Sequence, residues 1–190
     1  MSPISTLHHR RSLRLSGFDY TQAGLYFVTA VTHHRLPLFG EVVHGEMRLN
    51  CYGEIIQEEW ERISTVRPEV ELEAFVVMPN HIHGILCFQQ DGAFTVRATR
   101  RVAPTATLQA GSLGAVMGQF KSVVTKRINQ LRGTPGNPVW LRNYYDHIIR
   151  NQEDLELTWL YIESNPANWD RDEENFAGEN RPTLQNHVNL

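Results

Sequence analysis

Two histidines, His81 and His83, are separated by a single residue inside the apolar run HIHGILCF. Side chains two positions apart on a β-strand project from the same face, so a strand here would set the two imidazole rings side by side. Each neutral imidazole offers one ring-nitrogen lone pair, and the two rings together form a candidate metal site. The alternative is a pair of polar histidines on a half-exposed strand. Apolar residues on both sides favour the metal site, because they put the pair at the start of a core strand.

Tyr161 and Asn165 form a second candidate pair, near the end of a predicted helix. Residues four apart lie one turn apart on the same helix face. That face also carries Leu157, Leu160 and Ser164, and a separate apolar face, predicted to pack, carries Leu155, Trp159 and Ile162. A tyrosine oxygen can attack phosphorus, although a phenol with an ordinary pKa of about 10 needs a nearby base or cation. The carbonyl oxygen of Asn165 offers a third metal ligand; the alternative is a structural tyrosine and a helix-ending asparagine.

Tyr144 and Tyr145 are rival nucleophiles because they lie in the segment WLRNYYDHIIRN. Adjacent residues point in different directions on a strand or a helix, so only one of them can face a given site. Neither has an asparagine, glutamine or acid four residues later, where Ile148 and Ile149 stand. We therefore predict packing and substrate contact for both tyrosines.

The pattern of apolar residues predicts the elements that must position these side chains. Strands are predicted at 25–32, 70–78 and 81–88 and near 139–141, a hairpin or bent excursion at 33–50, and helices from 53 to before Pro68, at 113–131 and at 152–164. The order β-α-β-β-α-β is the ferredoxin-like, split βαβ pattern of the α+β class. It predicts a four-stranded antiparallel sheet with helices on one face, followed by a C-terminal helix that carries Tyr161. Residues 89–110 show no period and are predicted to be an exposed loop.

A chain of 190 residues is expected to form one main domain with a real core. We predict a basic N-terminal arm at 1–20, the catalytic domain at 21–169, and an acidic, loosely ordered tail at 170–190. No apolar run approaches the roughly 20 residues of a membrane helix, and the first 14 residues lack the apolar core of a secretory signal. Cys51 and Cys87 match no zinc or redox spacing, so reduced thiols and a cytoplasmic location are expected.

Charge is segregated along a chain whose net charge is only -3. Residues 97–150 carry nine lysines and arginines against one acid, whereas residues 151–190 carry two against nine acids. A basic face can therefore exist on an acidic molecule, although a solvated charged surface is the simpler alternative. The predicted contacts to a DNA backbone are Arg10, Arg11 and Arg14 in the arm and Lys121, Lys126 and Arg127 in the long helix. Tyr144 and Tyr145 are predicted to stack on unpaired bases.

Four segments in the same order carry a resemblance to a known family. PNHIHG (79–84), FKS (120–122), WLRNYYDHIIRN (140–151) and LYIESNP (160–166) resemble motifs of the HUH-type single-tyrosine transposases, in particular the REP-associated tyrosine transposases. The resemblance extends from about residue 25 to residue 169. It implies that His81 and His83 are the two histidines of the HUH motif, that Tyr161 is the catalytic tyrosine, and that Asn165 completes the metal site. It also implies a ferredoxin-like fold and recognition of hairpins in single-stranded DNA.

The predicted function is that of a metal-dependent endonuclease and strand-transferase for single-stranded DNA with REP-like hairpins, working through a 5′-phosphotyrosine intermediate. Mg²⁺ or Mn²⁺ is the expected metal, and the protein is expected to act as a monomer or homodimer, away from membranes. Two alternatives stay open. One is a catalytically silent protein that binds hairpin or single-stranded DNA, and the other is a metal-dependent hydrolase that uses water.

Overall fold

Four antiparallel strands form the sheet around which the chain is built, in the order β4-β5-β1-β6. The computed structural model describes residues 19–89, 111–172 and 174–175. The strands of this sheet are β1 (Gly24–Val31), β4 (Val70–Val77), β5 (His81–Phe88) and β6 (Tyr145–Ile149), and a separate hairpin contains β2 (Gly40–Val43) and β3 (Glu46–Leu49). The arginines at positions 10, 11 and 14 and the loop predicted at 90–110 lie outside the described residues.

Three α-helices cover the two faces of this sheet: α1 (Cys51–Val66), α2 (Leu113–Leu131) and α3 (Gln152–Ser164). Each helix begins after a capping residue whose side-chain oxygen accepts a hydrogen bond from a backbone N–H of the first turn. The capping residues of α1, α2 and α3 are Asn50, Ser112 and Asn151. Helices α1 and α2 pack on one face of the sheet, over the main apolar core, and α3 packs on the other. The predicted α+β fold class is confirmed, with two helices on one face and the tyrosine-bearing helix last.

Alternation along the two central strands assigns residues to the two faces. Ile82 and Leu86 of β5 point with Tyr26 and Val28 of β1 into the core beneath α1 and α2. The intervening residues point the other way, where Phe27 and Ile85 meet Ile162 of α3 in a smaller cluster. His81 and His83 have the same parity as Ile85, so they lie on the α3 side.

The fourth strand is not where the sequence placed it. Residues 139–141 form only an isolated bridge, between Trp140 and Thr32, and the strand that completes the sheet is β6, paired with β1 from Leu25↔Ile149 to Thr29↔Tyr145. The prediction near 139–141 was wrong because β1 has ended by that point. Its last residue, Val31, accepts one backbone bond from Leu141 N–H at 2.8 Å, and no ladder continues beyond the bridge within the described residues.

The predicted division of α3 into a packed face and a separate reactive face is also wrong. Thr158 and Ile162 are the buried residues of the helix, whereas Trp159 keeps 43% of its surface exposed. Tyr161 packs against the cluster that contains Ile162, and Asn165, just beyond the helix, is 3% exposed. The face that packs on the sheet is therefore the face that carries Tyr161 and Asn165.

A 3-10 helix (Pro166–Arg171) follows α3 and leads into a turn in which the Asn175 N–H donates to the Asp172 carbonyl oxygen at 2.9 Å. This stretch includes the first residues of the predicted acidic tail, and the rest of that tail lies outside the described residues. None of the helices in the described ranges is both long enough and apolar enough to span a lipid bilayer.

Candidate metal centre and nucleophile

His81 and His83 stand side by side at the start of β5 and are almost completely buried, at 0% and 1% exposure. Their Nε2 atoms are 3.0 Å apart. The ring of Phe27, on the neighbouring strand β1, stacks against His83 with 5.4 Å between centroids. Strand alternation and the apolar surroundings thus place two imidazole nitrogens close together in a water-poor environment.

The side chain of Asn80 fixes the tautomer of His81. The Asn80 amide nitrogen donates to the carbonyl oxygens of Arg35 and Glu174, at 3.2 and 2.6 Å, so the amide oxygen must be the atom that faces the ring. That oxygen is 2.8 Å from His81 Nδ1 and can only accept. His81 therefore carries its proton on Nδ1, and in the neutral ring the lone pair lies on Nε2.

Thr29 stands in the same relation to His83, with Oγ1 2.8 Å from Nδ1. When the hydroxyl accepts the Nδ1 proton, both histidines direct Nε2 lone pairs at each other across 3.0 Å. Two lone pairs repel at that distance, and a cation shared between them removes the repulsion. Hydrogen bonds from the outer ring nitrogen are the usual means by which proteins orient metal-binding histidines.

The hydroxyl of Tyr161 lies 3.3 Å from His83 Nε2. The tyrosine ring is half-buried, with its centroid 5.0 Å from that of His83 and 6.1 Å from that of Phe27. Helix α3 is held at its start by Asp154, whose carboxylate contacts His147 Nε2 of β6 at 3.0 Å and accepts the Arg150 backbone N–H at 3.1 Å. These contacts fix the helix that brings Tyr161 to the histidine pair.

Asn165 reaches the same region, together with an acid that sequence reasoning missed. The Asn165 amide nitrogen donates to Asp172 Oδ2 at 3.2 Å, and Asp172 Oδ2 is 3.9 Å from His81 Nε2. The ligand atoms of His81, His83 and Asp172 all lie within 4.8 Å of one another. The remaining Asn165 oxygen is buried, and none of the residues that the structure describes donates a hydrogen bond to it. Two imidazoles, a carboxylate and an unsatisfied amide oxygen together make a donor set that fits a divalent cation.

Nothing in the local sequence singled out Asp172, because it lies in a run of acids (DRDEEN) typical of a solvated surface. The turn that contains it is tied to the body of the protein. Glu174 forms an ion pair with Arg35, and its backbone N–H donates to Asp172 Oδ1 at 2.7 Å. No pattern in the sequence points to this contact, because it depends on the path of the chain after the 3-10 helix that starts at Pro166.

The basic residues predicted on α2 differ in what they contact. Lys121 donates to three successive carbonyl oxygens, those of residues 141, 142 and 143, at 2.7, 3.2 and 3.1 Å. Burial lowers the pKa of Lys121 to about 8. Arg127 donates to Glu58 and Glu59 of α1, and these hydrogen bonds raise its pKa. Lys126 is exposed.

Tyr144 precedes β6 and Tyr145 begins it, and the two side chains pack on opposite sides of the sheet. Tyr144 packs against the main core, and Tyr145 packs against the smaller cluster beneath α3. Burial, followed by the charges of Asp146 and Asp154, raises the pKa of Tyr145. Tyr145 therefore shares a sheet face with His83 and Tyr161, but its environment disfavours the phenolate.

Comparisons with known proteins agree with this architecture. A protein of Haemophilus influenzae (strain Rd), uncharacterised in function, is 34% identical over 170 residues, which cover 88% of this chain and 93% of that protein. The structure of a REP-associated tyrosine transposase bound to a REP hairpin aligns with 85% of this chain and 73% of its own, at 20% identity and a TM-score of 0.50. No protein-family model matches the chain. The structural likeness bears out the fold that the motif resemblance implies.

Proposed function

Because the chain belongs to the same family as the Haemophilus influenzae protein and has the fold of a REP-associated tyrosine transposase, we propose that it nicks and joins single-stranded DNA through Tyr161. The observation that carries this proposal is the position of the Tyr161 hydroxyl, 3.3 Å from His83 Nε2. A nucleophile beside a candidate metal site can reach a phosphate held at that site, which is the main requirement of phosphoryl transfer.

The proposed step is a transesterification. The Tyr161 oxygen forms a bond to the phosphorus of a DNA phosphodiester, and the bond from phosphorus to the 3′ oxygen breaks. The net proton transfer is from the phenol to the departing 3′ oxygen. The products are a 5′-phosphotyrosine and a free 3′-OH, and attack by another 3′-OH reverses the step and joins two strands. The bond count is unchanged, so no nucleotide cofactor is needed.

His81, His83 and Asn165 would hold the metal, and the resemblance favours Mg²⁺ or Mn²⁺. A divalent cation there supplies positive charge at a non-bridging phosphate oxygen, which stabilises the charge that develops during transfer. The facing Nε2 atoms of the two histidines and the orphaned oxygen of Asn165 support this assignment. Phe27 packs against both His83 and Tyr161, so it fixes the nucleophile relative to the ligands.

We propose single-stranded DNA with hairpins as the substrate, because the motif resemblance implies it and the solved relative is bound to a REP hairpin. Tyr161, both histidines and Asn165 come from one chain, so a monomer suffices for the chemistry. Of the predicted backbone contacts on α2, exposed Lys126 has its charge available to a phosphate, whereas Lys121 and Arg127 already bind groups of the protein.

The test is incubation of the full chain with a single-stranded hairpin DNA and Mn²⁺, followed by a denaturing gel. Wild-type protein should yield a protein–DNA adduct and a cut strand. Tyr161→Phe, which keeps the ring and removes only the hydroxyl, should lose both by about 10⁴-fold or more, as when a catalytic nucleophile is deleted. Tyr52→Phe on α1 is the matched control and should behave as wild type.

Each alternative gives a different result. If Tyr161→Phe still cuts the strand without an adduct, the protein is a hydrolase that uses water. If wild type binds the hairpin but neither cuts nor links to it, the protein is a DNA-binding module. A trapped nucleotide on Tyr144 or Tyr145 in peptide mass mapping would move the nucleophile to that residue.

A further inference from the structure

The carboxylate of Asp172 is buried beside the histidine pair, with only 6% of its side chain exposed. Its two oxygens accept one hydrogen bond each, from the Asn165 amide and from the Glu174 backbone N–H. Within the described part of the chain, the only basic side chain within ion-pair distance is His81, at 3.9 Å. A buried carboxylate is costly unless a cation is near it, so this one calls for a positive partner.

His81 is a poor candidate for that partner. Its Nδ1 proton is committed to Asn80, and its Nε2 atom is nearer to His83, at 3.0 Å, than to Asp172. A distance of 3.9 Å is too long for a hydrogen bond. It does suit two ligand atoms of one metal ion, since atoms that each lie about 2.1 Å from a shared centre are about 3 to 4 Å apart.

We propose that Asp172 is a further protein ligand of the metal, beside His81, His83 and Asn165, and that the amide nitrogen of Asn165 orients its carboxylate. The inference rests on the metal site of the proposed function and adds an anionic ligand to it. The Asn165 nitrogen binds Asp172, which leaves its oxygen without a donor. The Asn165 amide thus contributes two groups to the site, a nitrogen that binds Asp172 and an oxygen that is a candidate metal ligand.

Asn80 couples this turn to the histidine pair. Its oxygen holds His81 Nδ1, and its nitrogen holds the carbonyl of Glu174, the residue whose N–H binds Asp172. The ion pair of Glu174 with Arg35 fastens the same turn from the other side. A single side chain therefore sets both the tautomer of one ligand and the position of another. Such supporting contacts typically change metal affinity by about 10- to 100-fold when removed.

The donor set also bears on the choice of metal. Two imidazoles alone suit Zn²⁺ and Cu²⁺, whereas a carboxylate and an amide oxygen shift the preference toward Mn²⁺ and Mg²⁺. The added negative charge raises affinity for any divalent cation. Replacing Asp172 with asparagine keeps the size of the side chain and removes that charge.

The test measures Mn²⁺ binding by the full chain without DNA, from the electron paramagnetic resonance signal of free Mn²⁺. Asp172→Asn should weaken binding at least about 10-fold, and Asn165→Ala should weaken it as well. Asp170→Asn, an exposed acid two residues earlier, is the matched control and should bind as wild type. Asp172→Ala serves as a second variant if the asparagine protein does not fold, as judged by its melting curve without metal.

The outcomes separate the two proposals. If His81→Ala loses Mn²⁺ but both Asp172 variants bind as wild type, the histidine site stands and Asp172 is not a ligand. If His81→Ala also binds Mn²⁺ as wild type does, the metal site lies elsewhere, and the assignment of Asp172 as a ligand is wrong as well. If Mn²⁺ binding depends on Asp172 but wild type forms no DNA adduct, the ligand assignment holds and the proposed reaction is wrong.

Discussion

The two faces of the sheet are built from the same strands, but one buries apolar side chains and the other also buries polar ones. Beneath α1 and α2, Ile82 and Gly84 of β5 meet an apolar layer in which the Trp60 ring stacks on Phe75 with 4.4 Å between centroids. Beneath α3, the intervening residues His81 and His83 are just as buried but polar. A change of one position along β5 therefore separates a packing surface from a candidate reaction site.

The helices above the two faces also differ in how their polar groups are paired. Between α1 and α2, Arg127 is paired with Glu58 and Glu59. Among the described residues, each layer leaves a buried polar atom without a hydrogen-bond partner: the indole nitrogen of Trp60 beneath α1 and the amide oxygen of Asn165 on the α3 side. The Asn165 side chain differs in that it also contacts Asp172, next to two imidazole nitrogens that face each other across 3.0 Å. Buried polar groups are normally paired, so an unpaired oxygen on a side chain that also contacts a candidate metal ligand suggests a bound cation. Substitutions on the α3 face should therefore reduce activity, whereas substitutions on the face beneath α1 and α2 should reduce stability.

Of the changes that compare the two faces, His83→Ala on the α3 face should have the largest effect. Loss of one of two histidine ligands should lower adduct formation by roughly 10²–10³-fold or more, since a group that stabilises transition-state charge is worth that much. Stability should change by only about 1 kcal/mol, because the variant removes a buried polar ring as well as its packing. Adduct yield on a denaturing gel and the metal-free melting temperature measure the two effects. Normal cleavage in Mg²⁺ or Mn²⁺ would contradict the assignment.

The neighbouring change, Gly84→Ala, should reverse the pattern. A Cβ at position 84 would lie 2.3 Å from Cζ2 of Trp60, and that ring cannot move freely because Phe75 and Phe120 pack against it. Overpacking of this kind costs about 1–3 kcal/mol. Denaturant unfolding should therefore show a lower midpoint, while the folded fraction keeps its metal affinity. A variant as stable as wild type would mean that the apolar face is more plastic than its packing indicates.

The bounds of strands and helices were predicted correctly from the sequence where the spacing of apolar residues matches the pattern of burial. The strand at His81–Phe88 and the helices at Leu113–Leu131 and Gln152–Ser164 have the predicted bounds, because their patterns of apolar residues are long. The position of Tyr161 next to His83 followed from combining helix spacing, strand alternation and the family resemblance.

The failures have physical reasons as well. The buried face of α3 covers a polar site, so the polar residue Thr158 is buried there beside Ile162, and a search for an apolar stripe also selected Trp159, which is exposed. Strand β6 was missed because four of its five residues are only half-buried, which leaves no clear alternation. Asp172 was missed because its contact with His81 depends on how a turn folds back, and local spacing carries no record of that.

The smallest expected effect is that of replacing Lys121 on α2. It tests whether this lysine stabilises the fold or contacts DNA. A lysine that contacts a phosphate should, when replaced by methionine, reduce the slope of log affinity against log salt by roughly 0.7 to 1. We expect that reduction for exposed Lys126→Met. Lys121→Met should leave the slope unchanged, because the Lys121 ammonium already binds three backbone carbonyls. Hairpin binding measured across a salt titration separates the two variants.

A second measurement on Lys121 follows from its pKa of about 8, which burial lowers from 10.5. Between these two pH values the unfolded chain keeps the lysine proton while the folded chain releases it. Stability contributed by this position should therefore rise with pH from about 8 to about 10.5 in wild type, relative to Lys121→Met. Denaturant unfolding of both proteins across that range measures the difference. Parallel pH profiles, together with a reduced salt slope for Lys121→Met, would show that this lysine faces solvent and DNA instead of holding residues 141–143.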